Sequence, residues 1–323
     1  MAQTPVLQVK DLHVDFTADK KVYPVLRGLS YSLEPGRVLA VVGESGSGKT
    51  VHALSILNLL PPAAKVSSGE ILYNGQNLLT LSPRQLQTVR GQKIAMIFQD
   101  PSASLNPVLT IGEQLTETLI AHKRMTKVQA CGEAAALLTR VGISDAQKRL
   151  NEYPFQFSGG MCQRVMIAMA LALSPDILIA DEPTTALDVT IQAQIIRLIK
   201  QLQQQTHMAV IFITHNLALA SQVADEVLVL YGGLCMEHAP AAELFAHAQH
   251  PYTQGLLASL ASLHERPEHL PAIAGQPPAA GEDFTGCPFA PRCVHATEKC
   301  RQTLPPLTQT GEHRVRCFWE SAK

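Results

Sequence analysis

Gly43-Glu44-Ser45-Gly46-Ser47-Gly48-Lys49-Thr50 fills every fixed position of the phosphate-binding loop pattern G-x-x-x-x-G-K-[ST]. Its three glycines let the backbone take positive φ, so that successive N–H groups can turn inward toward phosphate oxygens. Gly36-Arg37-Val38-Leu39-Ala40-Val41-Val42 runs into the loop as a short apolar strand, and the residues after Lys49 read as a helix. That context matters, because a helix N-terminus adds its own N–H groups and positive dipole end beneath the phosphates. Lys49 then reaches the β- and γ-phosphates, and the Thr50 hydroxyl ligates Mg2+.

A second element of the same chemistry lies downstream. Ile177-Leu178-Ile179-Ala180 is a buried strand too short to be a helix by itself, and it ends in Asp181-Glu182. Asp181 is placed to hold Mg2+ through its water shell. Glu182, one residue on, points to the other side of the strand end, where it can polarise an attacking water. Ser158-Gly159-Gly160, 23 residues before Asp181, offers a hydroxyl and two unhindered N–H groups at a helix start, a good receptor for an anion.

The remaining composition sets bounds. The chain has 323 residues, 46% of them apolar, and a net charge of −1, which gives one large domain plus an addition and argues against a nucleic-acid surface. No stretch approaches the roughly 18 uninterrupted apolar residues that span a bilayer. The longest, Val165 to Leu173, reads as a buried helix, and Met1-Ala2-Gln3-Thr4-Pro5 carries no signal peptide, so a cytosolic location is expected.

Residues 6 to about 98 alternate short strands with the loop and its helix, including Glu70-Ile71-Leu72-Tyr73-Asn74-Gly75, whose Asn-Gly pair signals a hairpin. From Pro101 to about Arg164 the strand pattern vanishes, and Ile111–His122 and Lys127–Val141 read as helices. Residues 175 to about 245 return to alternating strand and helix.

With these motifs in this order the chain resembles the ATP-binding cassette family. Phe157-Ser158-Gly159-Gly160-Met161 is similar to the family signature, Gln99 in Ile97-Phe98-Gln99-Asp100-Pro101 to its Q-loop glutamine, Ala186-Leu187-Asp188 to its D-loop, and Ile213-Thr214-His215 to its switch histidine. The resemblance implies an α/β fold: a P-loop NTPase (RecA-like) core with an antiparallel β subdomain and an inserted α-helical subdomain at about 101–164, together spanning 1–245, followed by a small cysteine-containing extension at 246–323. It further implies a head-to-tail dimer in which ATP lies between one subunit's phosphate loop and its partner's signature. Gly43, Glu44, Ser45, Gly46, Ser47, Gly48, Lys49, Thr50, Gln99, Asp181 and Asp188 would then face the nucleotide, with Thr50, Gln99 and Asp181 about Mg2+. Glu182, His215 and Gln99 would be the catalytic set. His215 emerges at the sheet edge where ligands of α/β folds collect and is read as a γ-phosphate contact. Phe16 is the first choice for an adenine platform and Tyr23 the second.

The tail narrows the resemblance. His250-Pro251-Tyr252-Thr253-Gln254-Gly255-Leu256-Leu257, together with Ser104-Leu105-Asn106-Pro107, resembles the oligopeptide, dipeptide and nickel importers of the family. Cys287, Cys293, Cys300 and Cys317 cluster with spacing C-x5-C-x6-C-x16-C; clustered thiols in a reducing compartment more often bind metal than form disulfides. The spacing is not the C-x2-C of zinc ribbons, and it suits a [4Fe–4S] cluster, which the resemblance also implies. Zinc, or four reduced thiols packed as small apolar residues, are the alternatives.

Three positions depart from the family pattern: Met161 stands for Gln, Cys162 for a polar residue and Asn216 for Asp. The resemblance implies an ATPase subunit at the cytoplasmic face of a bacterial inner membrane, importing di- or oligopeptides. Its partners would be a second, homologous ATPase in a heterodimer, two membrane-spanning permeases and a periplasmic or lipid-anchored solute-binding protein. Uptake of nickel, haem or glutathione by the same motor, a soluble non-transport ATPase, and a redox-sensing iron–sulfur protein are the competing readings.

Overall fold

The computed structural model describes residues 4–100, 104–185, 187–265, 273–279 and 281–319. The expectations for Met1–Gln3, for Pro101 after Gln99, and for Ala186 in the D-loop therefore lie outside the described residues. The chain divides into two compact units, 1–80 with 212–323, and 81–211.

The first unit carries two sheets. Leu7–Ala18 pairs antiparallel with both Lys21–Leu33 and Ala64–Tyr73, and Gln76–Asn77 closes a hairpin on the latter. Asn74 and Gly75 form that turn, both at positive φ (46° and 82°), the conformation the Asn-Gly pair favours. The second sheet places Val38–Val42 parallel to Glu226–Tyr231, which pairs antiparallel with Leu234–Pro240. Val38–Val42 is buried along its whole length, as an unbroken apolar run inside a covered sheet must be.

Residues on both sides of 245 fall in one compact unit. His313–Val315 adds to Leu234–Pro240 as a further antiparallel strand, and Thr308–Thr310 adds to it in turn. Phe289 and Tyr252 join Tyr231, Leu244 and Val229 in one buried cluster. The reason is size: a tail with few apolar residues gains a core only by sharing one. Glu237, fully buried, fastens the junction. It accepts from His313 Nε2 at 2.7 Å and from the backbone N–H groups of Gln249 and His250 at 2.6 and 3.1 Å.

The second unit holds the parallel pair Ile94–Ile97 and Ile177–Asp181 and the helices Ile111–Lys123, Lys127–Arg140, Gly159–Leu171 and Val189–Thr206. The expected helices Ile111–His122 and Lys127–Val141 end within one residue of the observed ones. The apolar run Val165–Leu173 lies mostly within a helix that starts earlier, at Gly159. The starts of the first two are chemically marked. Thr110 and Thr126 each form a capping box, with Glu113 and Gln129 reaching back.

Candidate functional site

The phosphate loop hangs from Val38–Val42 and enters Lys49–Ile56. Gly46 and Gly48 adopt φ of 80° and 101°, left-handed conformations that a side chain would oppose. At Gly43 the limit is space, since a Cβ would collide with the Leu230 carbonyl. Ser47 and Lys49 are buried, whereas Ser45, Gly46 and Thr50 are exposed. The Lys49 ammonium donates to the carbonyls of Gly43 at 2.8 Å and Glu44 at 2.9 Å. Ser47 Oγ is buried with no hydrogen-bond partner among the described residues, a cost that phosphate or a metal's water shell would offset. The loop thus fits the group its pattern implies.

Glu44 is tied to the extension at both its backbone and its side chain. Its backbone N–H donates to the Tyr252 hydroxyl at 3.0 Å, and its carboxylate is held by Arg292. A carboxylate facing phosphate would repel it; here it faces a guanidinium. In the same unit His215 is exposed directly after Ala209–Thr214. Asn216 caps the helix Leu217–Val223 by accepting from Ala218 N–H at 2.9 Å, so the change from Asp keeps the cap, as Asn and Asp serve equally there. Phe16 and Tyr23 are cross-strand partners, each half-buried. Gly281 lies so close on Tyr23 that a Cβ there would collide with it; the extension takes up part of the second-choice aromatic.

The second unit brings Gln99, Glu182 and Thr185 together. Glu182 accepts from Gln99 Nε2 at 3.1 Å and from Thr185 Oγ1 at 2.9 Å. Asp181 is 2% exposed at the end of its strand, and Glu182 follows at φ 45°. A non-glycine held in the left-handed region costs on the order of 1 kcal/mol or more and persists where the surroundings enforce it, often at a reactive centre. Thr185 carried no signal of its own in the sequence.

Ser158 caps Gly159–Leu171, accepting from Met161 N–H at 3.4 Å, and Ser158 and Gly159 are exposed. The signature therefore presents a helix N-terminus outward. A Cβ on Gly160 would press on Ile191 at 2.8 Å, so this glycine is needed for packing as much as for access. Cys162 is buried, its thiol 3.6 Å from the Pro154 carbonyl; it fills core space rather than a contact surface. Asp188 accepts from Ile191 N–H at 2.9 Å as the cap of Val189–Thr206.

All seven cysteines are free thiols. Among the described residues no group of three or more His, Cys, Asp or Glu side chains is set to hold a metal ion. Cys287, Cys293, Cys300 and Cys317 nevertheless share one neighbourhood, because Cys287 feels the charge of Cys317 and Cys293, and Cys317 that of Cys293 and Cys300. Burial pushes the Cys287 thiol up to about 11, and raises Cys293 and Cys317 too. Each of these three sulfurs receives a backbone N–H from two residues on, at Phe289, His295 and Trp319; the last is 3.3 Å away.

Residues 26–185 match the family model for ABC transporters, and residues 236–300 match the C-terminal region of oligopeptide/dipeptide transporters. A dipeptide transport ATP-binding protein of Bacillus subtilis is 48% identical over 98% of this chain and 96% of its own. The chain is an ATP-binding cassette transporter ATPase. An oligopeptide transport ATP-binding protein of Haemophilus influenzae is 44% identical, covering 99% of this chain and 98% of its own. A dimeric ATP-binding cassette solved in a post-hydrolysis state with ADP and Pi superposes with a TM-score of 0.66 at 27% identity, over 73% of this chain and 98% of the other. ATP and Mg2+ follow from membership, as do membrane permeases as partners. Among the described residues no helix is long and apolar enough to cross a membrane.

Proposed function

We propose that this ATPase powers an importer of di- or oligopeptides from the cytoplasmic face of the inner membrane. It would act with a homologous second ATPase, two permeases and an external solute-binding protein. The observation that carries the reading is the extension. Residues 236–300, most of them in the extension, match the peptide-transporter C-terminal region, and the extension is built into the cassette's own core through Tyr252 and Phe289. Gly43–Thr50 would hold the phosphates, Thr50 and Asp181 the Mg2+, with Phe16 beneath the adenine. Glu182, steadied by Gln99 and Thr185, would orient and deprotonate the attacking water, and His215 would contact the γ-phosphate. The outward Ser158-Gly159-Gly160 start would complete the site of a partner subunit, since an exposed helix N-terminus suits an anion that the partner brings.

Cys287, Cys293, Cys300 and Cys317 would hold a [4Fe–4S] cluster of structural role. Burial raises three of these thiols, and the N–H donors aimed at their sulfurs oppose it by supporting thiolates, the form in which cysteine binds iron. Purified anaerobically with its permeases and supplied with a peptide-loaded binding protein, the complex should take up peptide in an ATP-dependent way and contain iron and sulfide with visible absorbance. Uptake of nickel or haem without peptide would overturn the substrate. Zinc without iron, or colourless metal-free thiols, would overturn the cluster.

A further inference from the structure

Arg292 immediately precedes Cys293, yet its side chain lies against the phosphate loop, 248 residues away in sequence. Its side chain is 5% exposed and that of Glu44 is 26%. A guanidinium has five N–H donors in a fixed plane, and here every one is placed. Nη1 donates to Glu44 Oε2 at 2.6 Å and to the Tyr231 hydroxyl at 3.0 Å. Nη2 donates to Glu44 Oε1 at 3.0 Å and to the Ile273 carbonyl at 3.2 Å, and Nε to the Ala274 carbonyl at 3.0 Å. Tyr252 takes the Glu44 N–H, and Tyr231, Tyr252 and Phe289 pack as one aromatic cluster with centroids 4.6 to 5.4 Å apart. Glu44 in turn offers its carbonyl to the Lys49 ammonium at 2.9 Å.

From this chain of contacts we propose that Arg292 is a positioning residue of the phosphate loop, through which the cysteine extension sets the ATP affinity of the cassette. The proposal rests on the reading of Gly43–Thr50 as the loop that holds ATP's phosphates. Two effects run through the one pair. The bidentate fork fixes Glu44, and with it the carbonyl that orients Lys49. It also neutralises a carboxylate at the rim of an anion site, where an unpaired negative charge would oppose phosphate. Removing Arg292 strips the carboxylate of its partner and costs more than removing both members, since a half-buried charge is then left uncompensated. A lysine keeps the charge but cannot make five planar bonds.

The test measures Mg·ATP affinity and steady-state ATPase in the assembled transporter for Arg292→Gln, Arg292→Lys, Glu44→Gln and the Arg292→Gln/Glu44→Gln double variant. Arg292→Gln should raise Kd and KM for ATP about tenfold, with kcat within about twofold. Arg292→Lys should fall between it and the unaltered protein. The double variant should return to the level of Glu44→Gln alone, because Arg292 acts only through that carboxylate. Unchanged affinity in Arg292→Gln would overturn the proposal, as would a double variant whose loss is the product of the two single losses. If Arg292→Gln fails to fold, Arg292→Lys takes its place in the cycle with the same criterion. Failure of the unaltered complex to bind ATP would instead sink the reading of the loop itself.

Discussion

Between Gly43 and Thr50 an irregular backbone is held from below, by a strand buried along its whole length and by glycines that let N–H groups converge. Between Cys287 and Cys317 a backbone of short helices, short strands and turns is held from the side. There the supports are shared strands on Leu234–Pro240, a buried carboxylate at Glu237 and an aromatic cluster borrowed from the core. The first region can be displaced little without loss of its chemistry. The second depends on buried polar contacts, among them a histidine whose protonation would disturb them. Different perturbations should therefore break each one.

The largest effect is expected at the loop. Lys49→Ala removes the ammonium that grips the loop carbonyls and that would, on the proposed reading, reach the β- and γ-phosphates. ATP turnover by the assembled transporter should fall by on the order of a thousandfold, in the range seen when a charged phosphate clamp is lost. The thermal unfolding midpoint should stay close to that of the unaltered chain. A large drop in midpoint alongside retained turnover would reverse the contrast.

The extension should answer to pH instead. His250 is 1% exposed, and its Nδ1 accepts the Tyr252 N–H at 3.0 Å. Burial pushes the imidazole down to about 4, with Glu237 pulling the other way. Unfolded, the ring titrates near 6.5. Between those values the unfolded chain binds more protons than the folded one, so stability is full above about pH 6.5 and falls as the pH drops through the window. At pH 5 the loss attributable to His250 is about 2 kcal/mol. Urea unfolding at pH 7 and pH 5 should show it, and His250→Asn, which keeps an acceptor for Tyr252 without a titrating ring, should flatten the difference. A pH dependence unchanged by that substitution would place the acid sensitivity elsewhere.

The same contrast explains what could be read from the chain alone. Loop chemistry is written in consecutive residues, so strand, glycines and lysine were legible together, as were Asp181-Glu182 at the end of an apolar run. Asn74-Gly75 and the helix starts at Thr110 and Thr126 are local codes of the same kind. Asp188 carried two local meanings, a family motif and the cap of the amphipathic helix that begins at Val189, and its hydrogen bond serves the second. Contacts between distant segments left no such trace. Arg292 reads as an ordinary loop arginine, and Tyr252 as one residue of a family segment; neither has a neighbour in sequence that points to Glu44. Thr185, one turn beyond Glu182, was hidden because a threonine after Pro183 suits any loop. The extension's attachment was missed for a related reason: three-residue strands such as His313–Val315 are too short for alternation to stand out.

Hydrolysis as proposed depends above all on Glu182, which the second unit holds at a left-handed φ between Gln99 and Thr185. The direct measurement is ATP binding and steady-state hydrolysis by the assembled transporter carrying Glu182→Gln, which keeps the shape and removes the base. The prediction is ATP affinity within about threefold of the unaltered complex and turnover lower by roughly 100- to 1,000-fold. Turnover near that of the unaltered complex would contradict it.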